Sequence, residues 1–239
     1  MEIGAGFGDD TIDLAAKSVG TISVVPNMTN ALIADNHLHE KELTNMKVAV
    51  MEDITRLPLA NGSIAAIAME DATAPGFKVT DRNFPAIAAE WARVLSPGGT
   101  VFLGLSNRYD RLFRFHSIRS IIQSHDHPES LNRFVKKATA PWPHSNLRLG
   151  QTIRSMIQSG FGEPTVYAPF PDEKKTEVVI PLEDARAVRY FLNNLIRKNS
   201  IMVRLTIAAA NAFVALSLFR YIIPYYFLVF HLDDKSDTI

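Results

Sequence analysis

The chain has no cysteine in its 239 residues, which excludes disulfides, thiolate zinc sites and cysteine nucleophiles. It has no excess charge of either sign, since 25 basic and 25 acidic side chains cancel. A general nucleic-acid binder needs a basic field, so nucleic acid is not an expected partner. No basic segment followed by an apolar run opens the chain, so no secretory leader is visible and the expected location is the cytoplasm. Internal repeats and low-complexity linkers are also lacking. So is an apolar run long enough for a membrane span. The longest, Leu205 to Phe219, lies between Arg204 and Arg220 and is interrupted by Asn211 and Ser217. As a helix it reaches only ~22 Å against ~30 Å of hydrocarbon. The expectation is a buried helix, or a membrane-surface contact through residues 201–222 that would make the protein peripheral to the membrane.

What is present begins at the first residues. Glu2-Ile3-Gly4-Ala5-Gly6-Phe7-Gly8-Asp9-Asp10 sets three alternating glycines behind an acid and an apolar residue. Glycines at this spacing turn a strand tightly into a helix and leave bare backbone for a ligand. A plain strand-to-helix turn can use the same residues. Only Met1 to Ile3 precede the turn, where a central parallel strand normally needs ~5 residues. This predicts a truncated first strand, with Met1 an internal methionine or a mis-called start.

Strand-like and helix-like stretches then alternate. Thr21–Val25, Lys47–Met51, Ser63–Met69 and Thr100–Leu105 read as strands, the last entered through Pro97-Gly98-Gly99. Thr11–Lys17, Thr29–His39 and Asn83–Leu95 read as helices, the third with Phe84, Ile87, Ala88, Trp91 and Leu95 on one face. Such alternation predicts a doubly wound, mostly parallel α/β sheet covered on both faces. Further on, Leu147–Ser159 and Glu183–Lys198 read as helices. Glu163–Ala168, Val178–Leu182 and Tyr225–Leu232 read as strands, with a loop from Pro169 to Glu177.

The dinucleotide fingerprint sets its third glycine three places after the second; here Gly8 follows Gly6 by two. That spacing, with Glu2 two residues before Gly4, resembles the first motif of class I S-adenosylmethionine-dependent methyltransferases, of the type 11-like group. Glu52-Asp53-Ile54-Thr55-Arg56-Leu57-Pro58-Leu59 is similar to that family's adenine-holding loop. Trp91-Ala92-Arg93-Val94-Leu95-Ser96-Pro97-Gly98-Gly99-Thr100-Val101-Phe102-Leu103 is similar to its helix, turn and fifth strand, and Ile223 to Leu232 to its closing strand. The resemblance covers residues 1 to about 106 and the closing strands. It implies a Rossmann-like fold of seven strands, the last antiparallel, with an inserted helical region. It further implies a single domain over 1–239: a cofactor half at 1–106, a substrate-binding insertion at 107–222 and a closing strand at 223–232. Gly104-Leu105-Ser106-Asn107-Arg108, Tyr167-Ala168-Pro169-Phe170-Pro171-Asp172 and Ile180-Pro181-Leu182 are similar to a bacterial subgroup, some of whose members occur in cell-surface glycan pathways.

The activity implied is methyl transfer from S-adenosylmethionine to a small-molecule or glycan-type acceptor. Glu2, Gly4, Gly6, Gly8, Asn27, Asp53, Ile54 and Glu70 are the implied cofactor residues. Asp53 would accept from the adenine amino group, unless it only caps its own turn. The family's ribose-gripping acid falls at Val25, which cannot accept a hydrogen bond, so Asn27 or water would substitute. The Phe-Asp pair that often opens the fourth strand is Ile64-Ala65 here. Beyond that strand, Glu70 and Asp71 can face the cofactor's amino group or the substrate.

Residues 108–137 hold Arg108, Arg111, Arg114, Arg119, Arg133, Lys136 and Lys137 against Asp110, Asp126 and Glu129, seven minus three, a local +4. A solvated helix face has this composition, and so does a grip on an anionic acceptor such as a phosphosugar or lipid phosphate. Asp71, Arg108, Arg111, Arg114 and His116 are the substrate candidates. His116, His125, His127, His144, Tyr109 and Asp110 can each serve as a general base, and none is singled out by spacing. His125-Asp126-His127 lacks the further ligands of a metal site, so no metal is expected. Three rival assignments stay open: a catalytically inactive methyltransferase-like binding protein, an NAD(P)-dependent oxidoreductase, and a membrane-surface protein whose C-terminal helix is the working part.

Overall fold

A computed structural model describes residues 1–4, 9–69, 76–107, 147–170, 178–194, 201–216, 218–221, 223 and 225–233. The chain divides into two units, one of Met1–Ser106, Ser145–Pro164 and Phe227–Ile239, the other of Asn107–His144 and Thr165–Tyr226.

The first unit is a sheet with helices from the intervening segments. Its strands are β1 (Glu2–Ile3), β2 (Thr21–Val25), β3 (Met46–Val50), β4 (Ile64–Met69) and β5 (Leu95–Ser106). They lie in the order β3-β2-β1-β4-β5, every neighbouring pair parallel. Strand β2 is β-branched and almost wholly buried, as a central parallel strand requires. Strand β1 is only two residues long, yet it sits in the middle, pairing Glu2 with Ser23 on one side and with Ala68 on the other. Strand β8 (Tyr225–His231) lies beside β5. Leu232 N donates to Gly99 O at 2.8 Å, and His231 Nδ1 lies 3.1 Å from Thr100 Oγ1. The end of β8 thus meets the start of β5, so the last strand runs antiparallel, as the sequence predicts.

Helices α1 (Asp9–Ala16), α2 (Met28–Glu40) and α3 (Phe84–Val94) follow β1, β2 and β4. In α3, Phe84, Ile87, Ala88, Trp91 and Val94 are buried, and Phe84 meets Trp91 edge-on at 5.8 Å between ring centres. This is the face the spacing predicts. Helix α4 (Leu149–Gln158) packs on α3 and ends at Gly160, whose φ of 97° a side-chain-bearing residue rarely adopts. Arg148 N donates to Asp81 Oδ1 at 2.9 Å at the start of α4.

Strand β5 departs from expectation. It begins at Leu95, directly after α3, rather than at Thr100. Leu95 pairs with Ile64 and Thr100 with Ala66, so Ser96 to Gly99 form a bulge inside the strand. Gly98 takes φ of 70° there, which relieves the ladder without ending it.

In the second unit, β6 (Thr165–Phe170) and β7 (Val178–Pro181) pair antiparallel, from Tyr167 with Pro181 to Phe170 with Val178. Pro169 and Phe170, expected in a loop, thus belong to β6. This pairing makes eight strands among the described residues instead of seven. Helix α5 (Ala185–Asn194) is capped by Asp184, whose Oδ1 accepts from Arg186 N at 2.9 Å and Ala187 N at 3.1 Å. It buries Val188, Phe191 and Leu192 and packs on α6 (Ile201–Ala215). Asn107 Nδ2 donates to Ile223 O at 2.6 Å. Among the described residues no helix is long and apolar enough to cross a membrane, and no three His, Cys, Asp or Glu side chains gather as a metal centre needs.

Candidate functional site

In open parallel sheets, ligands bind beyond the carboxyl ends of the strands. Three adjacent strands, β1, β2 and β3, end here in the residues that the sequence singles out. Gly4 follows β1, with φ of 85° and its N–H donating to Val24 O at 3.0 Å. Asn27 follows β2. Asp53 and Ile54 follow β3, and Met51 N donates to Val25 O at 2.9 Å. The pairings Ile3 with Val24 and Val25 with Val50 hold these three ends level.

Glu2 is buried in β1 and accepts a hydrogen bond from Thr11 Oγ1 in α1. The bond ties β1 to α1. Thr11, fully buried, is a site residue that sequence reasoning missed. Its only signal was its place one turn into a helix whose preceding strand carries an acid.

Asn27 is the N-cap of α2. Its Oδ1 accepts from Asn30 N at 2.9 Å and its carbonyl from Ala31 N at 3.1 Å. Val25 is buried, packed with Ala31 and Val48. Pro26 carries the chain between them and lies against Gly76, where any Cβ would overlap the proline ring. Gly76 has φ of 102°.

Asp53 is exposed. Its Oδ1 accepts from Thr55 N at 2.8 Å and from Thr55 Oγ1 at 2.7 Å. These bonds, the hydroxyl's first, hold its carboxyl below the usual carboxylate range. It is therefore a carboxylate at neutral pH, in a turn of its own making. Ile54 and Leu57 turn their side chains inward and are buried.

The loop beyond Asp53 is held by α3. Glu90 Oε1 accepts from Leu57 N at 2.5 Å. Arg93 Nε donates to Glu90 Oε2 at 2.9 Å and Nη2 to Glu90 Oε1 at 2.7 Å. Nη2 also donates to Leu57 O at 2.9 Å, and Nη1 to Leu59 O at 2.8 Å and Asn61 Oδ1 at 2.6 Å. A guanidinium has five N–H donors, and these five contacts employ them all. The Arg93 hydrogen bonds are the largest influence lowering the Glu90 carboxyl, against the opposing effect of burial. The sequence shows Glu90 and Arg93 only as an ordinary helical pair three residues apart; their partners lie more than thirty positions upstream.

Gly6, Gly8, Glu70, Asp71, Arg108, Arg111, Arg114 and His116 lie outside the described residues. So do Tyr109, Asp110, His125, His127 and His144.

Residues 1–103 match the methyltransferase domain family. No curated protein matches the chain in sequence. A candidate sarcosine dimethylglycine methyltransferase of Galdieria sulphuraria is similar in fold, with a TM-score of 0.54, 14% identity, and coverage of 98% of this chain and 77% of that one. The [4+2]-cyclase SpnF has a TM-score of 0.53 at 13% identity, covering 97% and 73%. Phosphoethanolamine N-methyltransferase 2 of Haemonchus contortus, solved with S-adenosylmethionine, has a TM-score of 0.54 at 14% identity, covering 97% and 48%. The family match covers residues 1–103, and the strand order of the sheet is that of a Rossmann-like fold, shared with these methyltransferase structures. S-adenosylmethionine is the cofactor of that family.

The residues present fit this cofactor at two of its three parts. Gly4 supplies side-chain-free backbone at the end of β1, where the methionine part would lie. Asp53 supplies a carboxylate acceptor for an adenine amino group. At the ribose, Val25 offers no acceptor and the Asn27 oxygen already serves Asn30 N.

Proposed function

We propose that this chain transfers a methyl group from S-adenosylmethionine to a small-molecule or glycan-type acceptor, anionic or lipid-linked. The observation carrying this is the level row of Gly4, Asn27 and Asp53 beyond three adjacent parallel strands, inside the stretch that matches the methyltransferase family.

When bound, the cofactor supplies an already activated methyl on sulfonium. The protein's own task is then alignment, which in ideal cases contributes ~7–11 kcal/mol. Gly4, with Gly6 and Gly8, would cradle the methionine end. Glu2 would act through Thr11 to fix that turn. Asp53 and Ile54 would hold the adenine, and Glu70 the amino end. Asn27 Nδ2 remains as a donor toward the ribose.

Charge supports the proposed acceptor class. The local +4 over residues 108–137 suits a phosphosugar or lipid phosphate, with Arg108, Arg111 and Arg114 as its grip. Asp71 and His116 would face the same acceptor. A lipid-linked acceptor would bring the apolar residues 201–222 to a membrane surface.

Val25 favours a second assignment, an inactive protein that keeps the fold and has lost ribose binding. Calorimetry with S-adenosylmethionine and S-adenosylhomocysteine separates the two. Micromolar binding supports the enzyme; absence of heat with both ligands supports the inactive protein. Once a phosphorylated acceptor turns over, replacing Arg108, Arg111 and Arg114 by Gln is expected to raise its KM at least tenfold. An unchanged KM removes the anionic-acceptor assignment.

A further inference from the structure

We infer that Glu90 and Arg93 are positioning residues for cofactor recognition, setting the place of Asp53 and Ile54 without touching the ligand. The inference rests on the assignment of Asp53 to the adenine amino group, made above.

The segment from Met51 to Leu59 leaves β3 and crosses the carboxyl edge of the sheet. Its near end is fixed by Met51 N on Val25 O, at 2.9 Å. Its far end is fixed by hydrogen bonds from α3, through Leu57 N, Leu57 O and Leu59 O, beside the buried side chain of Leu57. Gly62 N closes the same patch by donating to Arg93 O at 3.0 Å. Between the two anchors the bonds of Asp53 are local, to Thr55. A local turn fixes its own shape but not its position. The position of Asp53 is therefore decided where the segment is pinned, and one of those pins is the Glu90–Arg93 fork.

Every anchor at the far end is made to backbone, apart from Asn61. The fork thus holds the path of the chain through its backbone groups. The planar guanidinium does this by spanning three acceptors of the loop and two oxygens of Glu90 together. A lysine offers at most three donors from one nitrogen and cannot span that set. Misplacement of a polar contact by about 1 Å is enough to lose it.

The effect expected is on discrimination of the base, not on binding as a whole. S-inosylhomocysteine carries a carbonyl oxygen where S-adenosylhomocysteine carries the amino group that Asp53 would accept from. Both ligands are titrated calorimetrically into the full chain and into Arg93→Lys, Glu90→Gln, Asn61→Ala and Asp53→Ala. The unaltered chain should prefer the adenosyl ligand by about tenfold or more, and Asp53→Ala should lose that preference. Arg93→Lys and Glu90→Gln should lose most of it while binding the inosyl ligand within about twofold of the unaltered chain. Asn61→Ala, which removes one exposed partner of Arg93, should reduce the preference about two- to threefold. If Arg93→Lys or Glu90→Gln does not fold, Asn61→Ala decides by the same comparison. A preference that survives in the fork variants, or equal weakening of both ligands, overturns the positioning role. No preference in the unaltered chain overturns the adenine assignment, and the positioning role with it.

Discussion

Thr11 donates its hydroxyl to the buried carboxyl of Glu2, so the first strand and the first helix are joined by a side-chain bond. Strand β1 is only two residues long, and this bond ties it to α1. Thr11→Val keeps the shape and removes the donor. The loss of a buried side-chain hydrogen bond should destabilise the fold by about 1–3 kcal/mol, read as a lower urea midpoint with an unchanged slope. It should also weaken S-adenosylhomocysteine binding, because the turn it steadies would carry the methionine end.

Glu90 makes the protein acid-sensitive in a definite direction. Arg93 foremost, then the Leu57 N–H and the charge of Arg56, hold its carboxyl below the ordinary value. A carboxylate with a lowered folded pKa stabilises the fold above its unfolded value, roughly 4.3 for Glu. That contribution is lost as pH falls through the folded value. Asp53 is lowered too and acts in the same direction. Urea unfolding from pH 7 to pH 3.5 should show stability falling below about pH 4.5, and the fall should be shallower in Glu90→Gln. An equal fall in both proteins would mean that the fork is not the acid-labile element.

Val25→Asp tests the ribose position. A carboxylate placed among Ala31 and Val48 has no partner in the free protein, and a buried unpaired charge costs several kcal/mol. The melting temperature without ligand should therefore drop. If the ribose lies beside this position, its two hydroxyls would satisfy the new carboxylate, and S-adenosylmethionine should bind about tenfold tighter. Lower stability with unchanged affinity would place the ribose elsewhere.

Gly76→Ala should destabilise the fold by roughly 1–3 kcal/mol. The positive φ disfavours alanine, and its methyl would overlap the Pro26 ring. Because Pro26 joins Val25 to Asn27, cofactor affinity should fall as well. A melting temperature within a degree of the parent would show that residues 76–79 yield freely.

The sheet was legible because its strands are short β-branched or apolar runs between polar breaks, and α3 because its apolar face repeats every three to four residues. The start of β5 was not. Pro97-Gly98-Gly99 reads as a turn, and nothing local shows that Leu95 already pairs with Ile64. Asn27 was legible as a polar residue at a strand end, but its first claim, on Asn30 N, belongs to the helix it caps. Glu90 and Arg93 were invisible as site residues for a different reason. A long-range fork onto backbone leaves no mark in the sequence at the places it binds, since Leu57 and Leu59 contribute only amide groups.

The division of the chain carries a consequence for how the second unit can be exchanged. The polypeptide passes between its two units at four places, near residues 106, 144, 164 and 226. The second unit is therefore two separate segments, with residues 145–164 returning to pack α4 on α3 in between. A graft of the whole second unit from another protein must therefore be made in two pieces, residues 107–144 and 165–226, and leave residues 145–164 in place.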